Sequence, residues 1–209
     1  VLDDTAATLR AAGATVDTAV CDVRDAVVAE AMVAAQWAAA PIDVLVNNAA
    51  ASFIARTETL SARAADAILA PTLHGALYCT LALGRRWIDS GRPGVVLSIL
   101  STSTRTGRAF TVPSAMGKAG LLAMTRSLAV EWGPHGIRLV AIAPGPFPTE
   151  GSNRQLNPGA RGASQARAPL NPTGRVGRPD ELADLAAYLV SPQAGYINGE
   201  MVAIDGGAH

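Results

Sequence analysis

The stretch TVPSAMGKAGLLAMTRSLAVEWG, Thr111 to Gly133, reads as one long helix with a serine and a lysine one turn apart, Ser114 and Lys118. Residues four apart on a helix share a face, so a hydroxyl and an ammonium can meet one ligand. Of the 17 Lys+Arg residues in the chain, Lys118 is the single lysine. An ammonium is a compact charge whose pKa responds to burial, whereas a guanidinium is a planar fork that stays protonated. A lone lysine in so arginine-rich a chain singles this position out, with a plain surface lysine as the other reading. Ser114 is a weaker candidate for proton transfer, because an untuned serine hydroxyl is a poor acid. Its place after Pro113 also suits a helix N-terminus.

These groups need a scaffold, and the chain alternates helix and strand from end to end. DDTAATLRAAG reads as a helix closed by Gly13, and ATVDTAVCDV as a strand rich in valine and threonine. Residues 25–39 read as a helix ended by Pro41. IDVLVNNAA is an apolar run suited to a strand buried on both faces of a parallel sheet. A helix near 61–70 leads to a longer one near 73–90, and GVVLSILS is the next buried strand. After the long helix come a strand, IRLVAIAPG, a helix, PDELADLAAYLV, and a last strand, EMVAIDGG. This order predicts one α/β domain over residues 1–209, a Rossmann-like doubly wound parallel sheet. Gly151 to Pro172, rich in Gly, Pro, Asn and Arg, has no clear period and reads as a loop that is either functional or disordered.

In open α/β sheets ligands bind beyond the carboxyl ends of the strands. Those ends read CDV (Cys21–Val23), NNAA (Asn47–Ala50), LSILSTS (Leu97–Ser103) and APGPFPTEG (Ala143–Gly151). All are small or polar where the strand stops, so backbone can approach a flat ligand closely. Singly they are ordinary turn residues; together, in this order, they outline a site.

Formal net charge is zero, which leaves no basic stripe for nucleic acid or an anionic membrane. No apolar run approaches the roughly 18 residues of a membrane helix, and the first residues lack the features of a signal peptide. Cys21 and Cys79 have no metal-like spacing and read as small buried residues of a reducing compartment, with no disulfide between them. A cytoplasmic protein without a metal is expected.

The quoted segments resemble the short-chain dehydrogenase/reductase family. The likeness rests on D-V at Asp22–Val23, N-N-A at Asn47–Ala49, and Ser101 thirteen residues before Ser114. It rests also on Lys118, and on P-G-x-x-x-T from Pro144 to Thr149. In that family the position of Ser114 is normally tyrosine, and the lysine holds the nicotinamide ribose and lowers the tyrosine pKa. Serine there, with NNAAASF, EWGPHGIRLVAIAPGPFPTEG and GYINGEMVAIDGG, is similar to the 2,4-dienoyl-CoA reductase branch. The resemblance implies NADP(H), with NAD(H) open, and hydride transfer to a conjugated acyl-CoA in fatty acid metabolism. It also implies a homotetramer packed through the two long helices.

Carried onto this sequence, the resemblance implies catalytic roles for Lys118, Ser114 and Ser101; His74, with Ser101 or Ser103, is a further catalytic candidate for polarising the thioester. It implies cofactor contacts at Asp22, Val23, Asn47, Ala49, Lys118, Pro144, Gly145, Pro146, Phe147 and Thr149. Phe53, Ser103 and Arg154 become candidate substrate contacts, with Arg161 and Arg167 as further cations for CoA phosphates. Two positions depart from the branch: Ser103 stands where a second tyrosine is expected, and His74 where an asparagine precedes the glycine. Histidine can serve as a proton source near neutral pH. The family's glycine-rich phosphate loop and its strand–helix–strand unit do not occur in these residues, so a fragment of a longer protein is expected, with recruitment of strands from a partner as the alternative. On that expectation the TVDTAV strand has no neighbour and DVLVNN has a bare edge. A carbonyl or alcohol dehydrogenase with another acid, and a non-catalytic relative, remain alternatives.

Overall fold

A computed structural model of the protein describes residues 2–148 and 171–208. Four strands form one parallel sheet in the order β1-β2-β3-β4: β1 Val44–Asn47, β2 Gly94–Ile99, β3 Ile137–Pro144 and β4 Met201–Ile204. Helices α2 (Ala26–Ala39), α4 (Gly75–Ser90) and α6 (Val112–Trp132) cover one face. Val33, Leu83, Trp87, Val96, Trp132 and Leu139 pack between them and the sheet. Helix α7 (Pro179–Val190) covers the other face, where Leu189 meets Leu97, Val140 and Ile142. Helix α1 (Leu2–Ala11) precedes these elements, and α3 (Ala62–Leu69) and the single turn α5 (Ser103–Thr106) lie between them.

Local chemistry sets the element ends. The Asp25 carboxylate accepts from the Val27 and Val28 amides and caps α2. Gly91, at φ +64°, closes α4 in the left-handed region. Pro71 has no amide hydrogen, and its ring crowds the preceding turn. The helix widens there into a π turn, Ala70–His74, in which the Gly75 amide reaches back to Ala70 O. Alpha-helix resumes at Gly75, so α3 and α4 form one continuous helical rod.

Three expectations need correction. ATVDTAVCDV is not a strand: residues 14–22 carry no ladder, and Val20 is 93% exposed. An extended segment without a hydrogen-bonded neighbour gains too little to be held as a strand. Second, β1 is not buried on both faces. Val44 and Val46 are 36% and 51% exposed. They register with Val95 and Leu97, on the α7 face, but α7 sits over the inner strands and does not reach them. Third, the joined helix Ala62–Ser90 is long and apolar enough to cross a membrane by length and composition alone. Half of its apolar window is buried in this fold.

Candidate functional site

The site is built on the carboxyl ends of β1 and β2 and on the first turns of α6. Lys118 is only 7% exposed. Its ammonium donates to the Ile99 carbonyl at 2.5 Å, where β2 ends. Burial pulls its pKa from 10.5 down to about 8. Ile99 takes one of its three donors, and among the described residues the other two meet no acceptor. Ser114, one turn earlier, is half-buried, and its hydroxyl makes no hydrogen bond to another described residue. The helix N-cap is Thr111, so Ser114 is not held as a cap.

Beyond β2 the chain turns into α5, and Ser103 donates its hydroxyl to Ser101 Oγ at 3.1 Å. The Ser103 amide also points at that oxygen, 3.3 Å away. With its oxygen serving as acceptor, the Ser101 hydroxyl keeps its own hydrogen for a further acceptor. These bonds gather the Ser101 and Ser103 candidates.

The π turn is anchored from two sides. Thr72, fully buried, accepts from the Ala51 amide at 3.1 Å and donates to Ala51 O at 3.4 Å, which ties down the loop after β1. Its methyl lies where a Cβ on Gly117 would come within 3.0 Å, and Leu73 crowds Gly120 in the same way. The turn is thereby seated on α6 beside Lys118. His74 ends it, exposed, its ring tilted 33° to that of Tyr78 at 6.3 Å. Among the described residues no hydrogen bond joins His74 to Ser101 or Ser103. Thr72 was not singled out in the sequence; its only signal there is its place after a helix-widening proline.

The candidate cofactor contacts fall into two groups. Asn47, 7% exposed, spends its side-chain amide on Thr80 Oγ1 at 2.9 Å, which locks the end of β1 onto α4. Ala49 lies exposed in the loop beyond it. The Asp22 carboxylate is taken by Arg24 in contacts of 2.6 to 3.0 Å, which hold it down at about 2. Val23 packs on Gly75, and a Cβ at Gly75 would stand 2.7 Å from Val23 Cγ2.

At the other end, the turn after β3 is clasped by the chain terminus. The Gly145 amide donates to Ile204 O, and a Cβ on Gly145 would lie 2.5 Å from Asp205 Cβ. Phe147 lies against Gly177, whose amide donates to Pro146 O. A pocket of about 130 Å³ opens among Pro146, Phe147, Asn171, Arg175 and Asp205. It is a small space beside the Pro144–Phe147 turn, and Lys118 does not line it. Phe53 is 38% exposed in the loop after β1. Thr149, Arg154, Arg161 and Arg167 lie outside the described residues.

This arrangement can hold a flat polar ligand over the strand ends, present a buried cation from α6, and offer the Ser101 hydroxyl to a developing negative charge. The profile of the family described as "Enoyl-(Acyl carrier protein) reductase" matches residues 2–209. The chain belongs to the short-chain dehydrogenase/reductase family, a family of oxidoreductases. A Caenorhabditis elegans protein described as a probable 2,4-dienoyl-CoA reductase producing (3E)-enoyl-CoA is 43% identical over 166 residues, 79% of this chain and 54% of that protein. A Bacillus subtilis protein described as a probable (2E)-enoyl-CoA-producing 2,4-dienoyl-CoA reductase is 42% identical over 167 residues, 79% of this chain and 65% of that protein. The chain thus spans between about half and two-thirds of the length of these curated relatives. The crystal structure of a Burkholderia cenocepacia gluconate 5-dehydrogenase in complex with NADP and tartrate superimposes with a TM-score of 0.89 at 29% identity. It covers 98% of this chain and 80% of that one.

Proposed function

We propose that the chain is the catalytic part of an NADPH-dependent reductase acting on conjugated 2,4-dienoyl-CoA thioesters. The observation that carries the reading is the donor at Ser101, kept free by Ser103, together with a buried lysine and a serine where a ketone-reducing site needs a phenol. The two dienoyl-CoA reductase relatives support the substrate class. The tyrosines, Tyr78, Tyr188 and Tyr196, lie on α4, on α7 and in a late loop, away from the Ser114 position.

Lys118 fits the nicotinamide–ribose half of the cofactor, because its ammonium is buried yet has two unused donors. The backbone of Asn47–Ala49 and of Pro144–Phe147 would flank it. When bound, the cofactor supplies a hydride to the conjugated acyl group. Negative charge then spreads to the thioester oxygen, where a hydrogen bond from Ser101 stabilises it. His74, at the exposed end of the π turn, delivers a proton to carbon and so completes the reduction to an enoyl-CoA.

The test is oxidation of NADPH in the presence of a short 2,4-dienoyl-CoA, with the double-bond position of the product read by mass spectrometry and NMR. It is run on this chain and on a version extended upstream, with the longer version expected to bind NADPH more tightly. Turnover of a polyol or sugar acid with NADP, and none of the dienoyl thioester, would overturn the reading.

A further inference from the structure

The two cysteines lie far apart in sequence, and the fold brings them together. The contact that does so is Val23 on Gly75, where Val23 Cγ2 and the Val23 carbonyl oxygen would stand 2.7 and 3.0 Å from a Cβ on the glycine. Cys79 lies one turn after Gly75 on the same face of α4. Cys21 lies two residues before Val23 in a stretch with neither helix nor ladder. Two extended residues advance roughly 6.6 Å, and four helical residues rise about 6 Å. The Val23–Gly75 contact therefore lies within about two extended residues of Cys21 and one helical turn of Cys79. The sulfurs feel each other: the Cys79 thiol is held up first by burial and then by the charge of Cys21. Both thiols are free, Cys79 buried and Cys21 half-buried.

We propose that Cys21 and Cys79 are a site of reversible disulfide formation, stapling the Asp22–Val23 turn to the first half of α4. The oxidant is a low-molecular-weight disulfide. The Cys21 thiolate, the more exposed, attacks one sulfur of that disulfide, forms a mixed disulfide and expels one thiolate. The Cys79 thiolate then attacks Cys21 Sγ, the protein S–S bond forms, and the second small thiolate leaves. Two protein thiols lose two electrons and two protons, and the small disulfide becomes two thiols. Partial burial, and then the charges of Asp22 and Asp25, hold the Cys21 thiol up, so the exchange runs slowly at neutral pH and faster in mild alkali. The staple matters to catalysis only through the reductase reading, in which Asp22 and Val23 border the cofactor. There it would fix that border against the helix that begins beside His74.

The experiment incubates the folded chain with oxidised glutathione in mild alkali, blocks free thiols, digests with trypsin and reads the peptides by mass spectrometry. The expected product joins the peptides 11–24 and 64–85, reverts with a thiol reductant, and is absent from Cys79→Ala, which stops at glutathione on Cys21. Wild-type protein that also stops at that mixed disulfide, keeps both thiols free, or links only between molecules overturns the proposal. The readout is a mass and is independent of turnover. A missing link therefore leaves the reductase reading standing, and a link in a chain without dienoyl turnover removes only that reading.

Discussion

Replacing Lys118 with methionine tests the central electrostatic claim directly. Lys118 is 7% exposed, and burial lowers its pKa from 10.5 to about 8. Between those values the unfolded chain binds a proton that the folded chain has released, so stability rises with pH across that window. Below about pH 8 both states carry the charge, and its burial weakens the fold in full. The shift corresponds to roughly 3 kcal/mol across the window, about 1.4 kcal/mol per pH unit. In Lys118→Met nothing titrates at this position, and the lost bond to Ile99 O adds only a nearly constant offset. Urea unfolding followed by tryptophan fluorescence, at a series of pH values from neutral to beyond the unfolded lysine pKa, gives both curves. The wild-type minus variant difference is expected to move by about 3 kcal/mol in favour of wild type as pH rises. A difference that stays flat within about 0.5 kcal/mol would refute the claim that this ammonium is desolvated in the folded protein.

Glu181 tests the opposite sign. Its carboxylate accepts from Arg175 at 2.6 and 2.8 Å and from the Arg178 amide, and its pKa falls from 4.5 to about 2. The stability it contributes is present above its unfolded pKa and fades as pH falls toward 2. Glu181→Gln should therefore lose stability at neutral pH and unfold less steeply in acid, as read by circular dichroism. His74→Ala, at an exposed position, should change stability by less than about 0.5 kcal/mol. Dienoyl-CoA turnover should fall at least tenfold, or roughly 1.4 kcal/mol of barrier; unchanged turnover would remove His74 from proton delivery.

Helical and strand periods, the proline and glycine boundaries and the one-turn spacing of Ser114 and Lys118 are properties of neighbouring residues. They read correctly for α2, α4, α6, β2, β3, α7 and β4. The parallel sheet was equally legible, since strands separated by helices can hardly pair otherwise. Burial was less so. The apolar run at β1 reads the same whether or not a helix lies over its outer face, and here α7 does not reach Val44 and Val46. The site shows the same division. The candidate residues stood out by type and spacing, but Thr72, which ties the loop after β1 to the π turn and packs on Gly117, is an unremarked threonine in the sequence.

The sequence alone determined which chemistry is on offer: one tunable cation, a serine in place of a phenol, and small residues at the strand ends. Each follows from side-chain type and local spacing. Tertiary structure decided what those groups do to one another. It buried Lys118 against Ile99 O and so lowered its pKa, and it spent Ser103 on Ser101. It turned Asn47 inward to Thr80 and set Val23, two residues after Cys21, against Gly75, one turn before Cys79. Residues 14–22 show why that division holds. Their β-rich pattern is a preference, and a strand forms only where another strand accepts its hydrogen bonds.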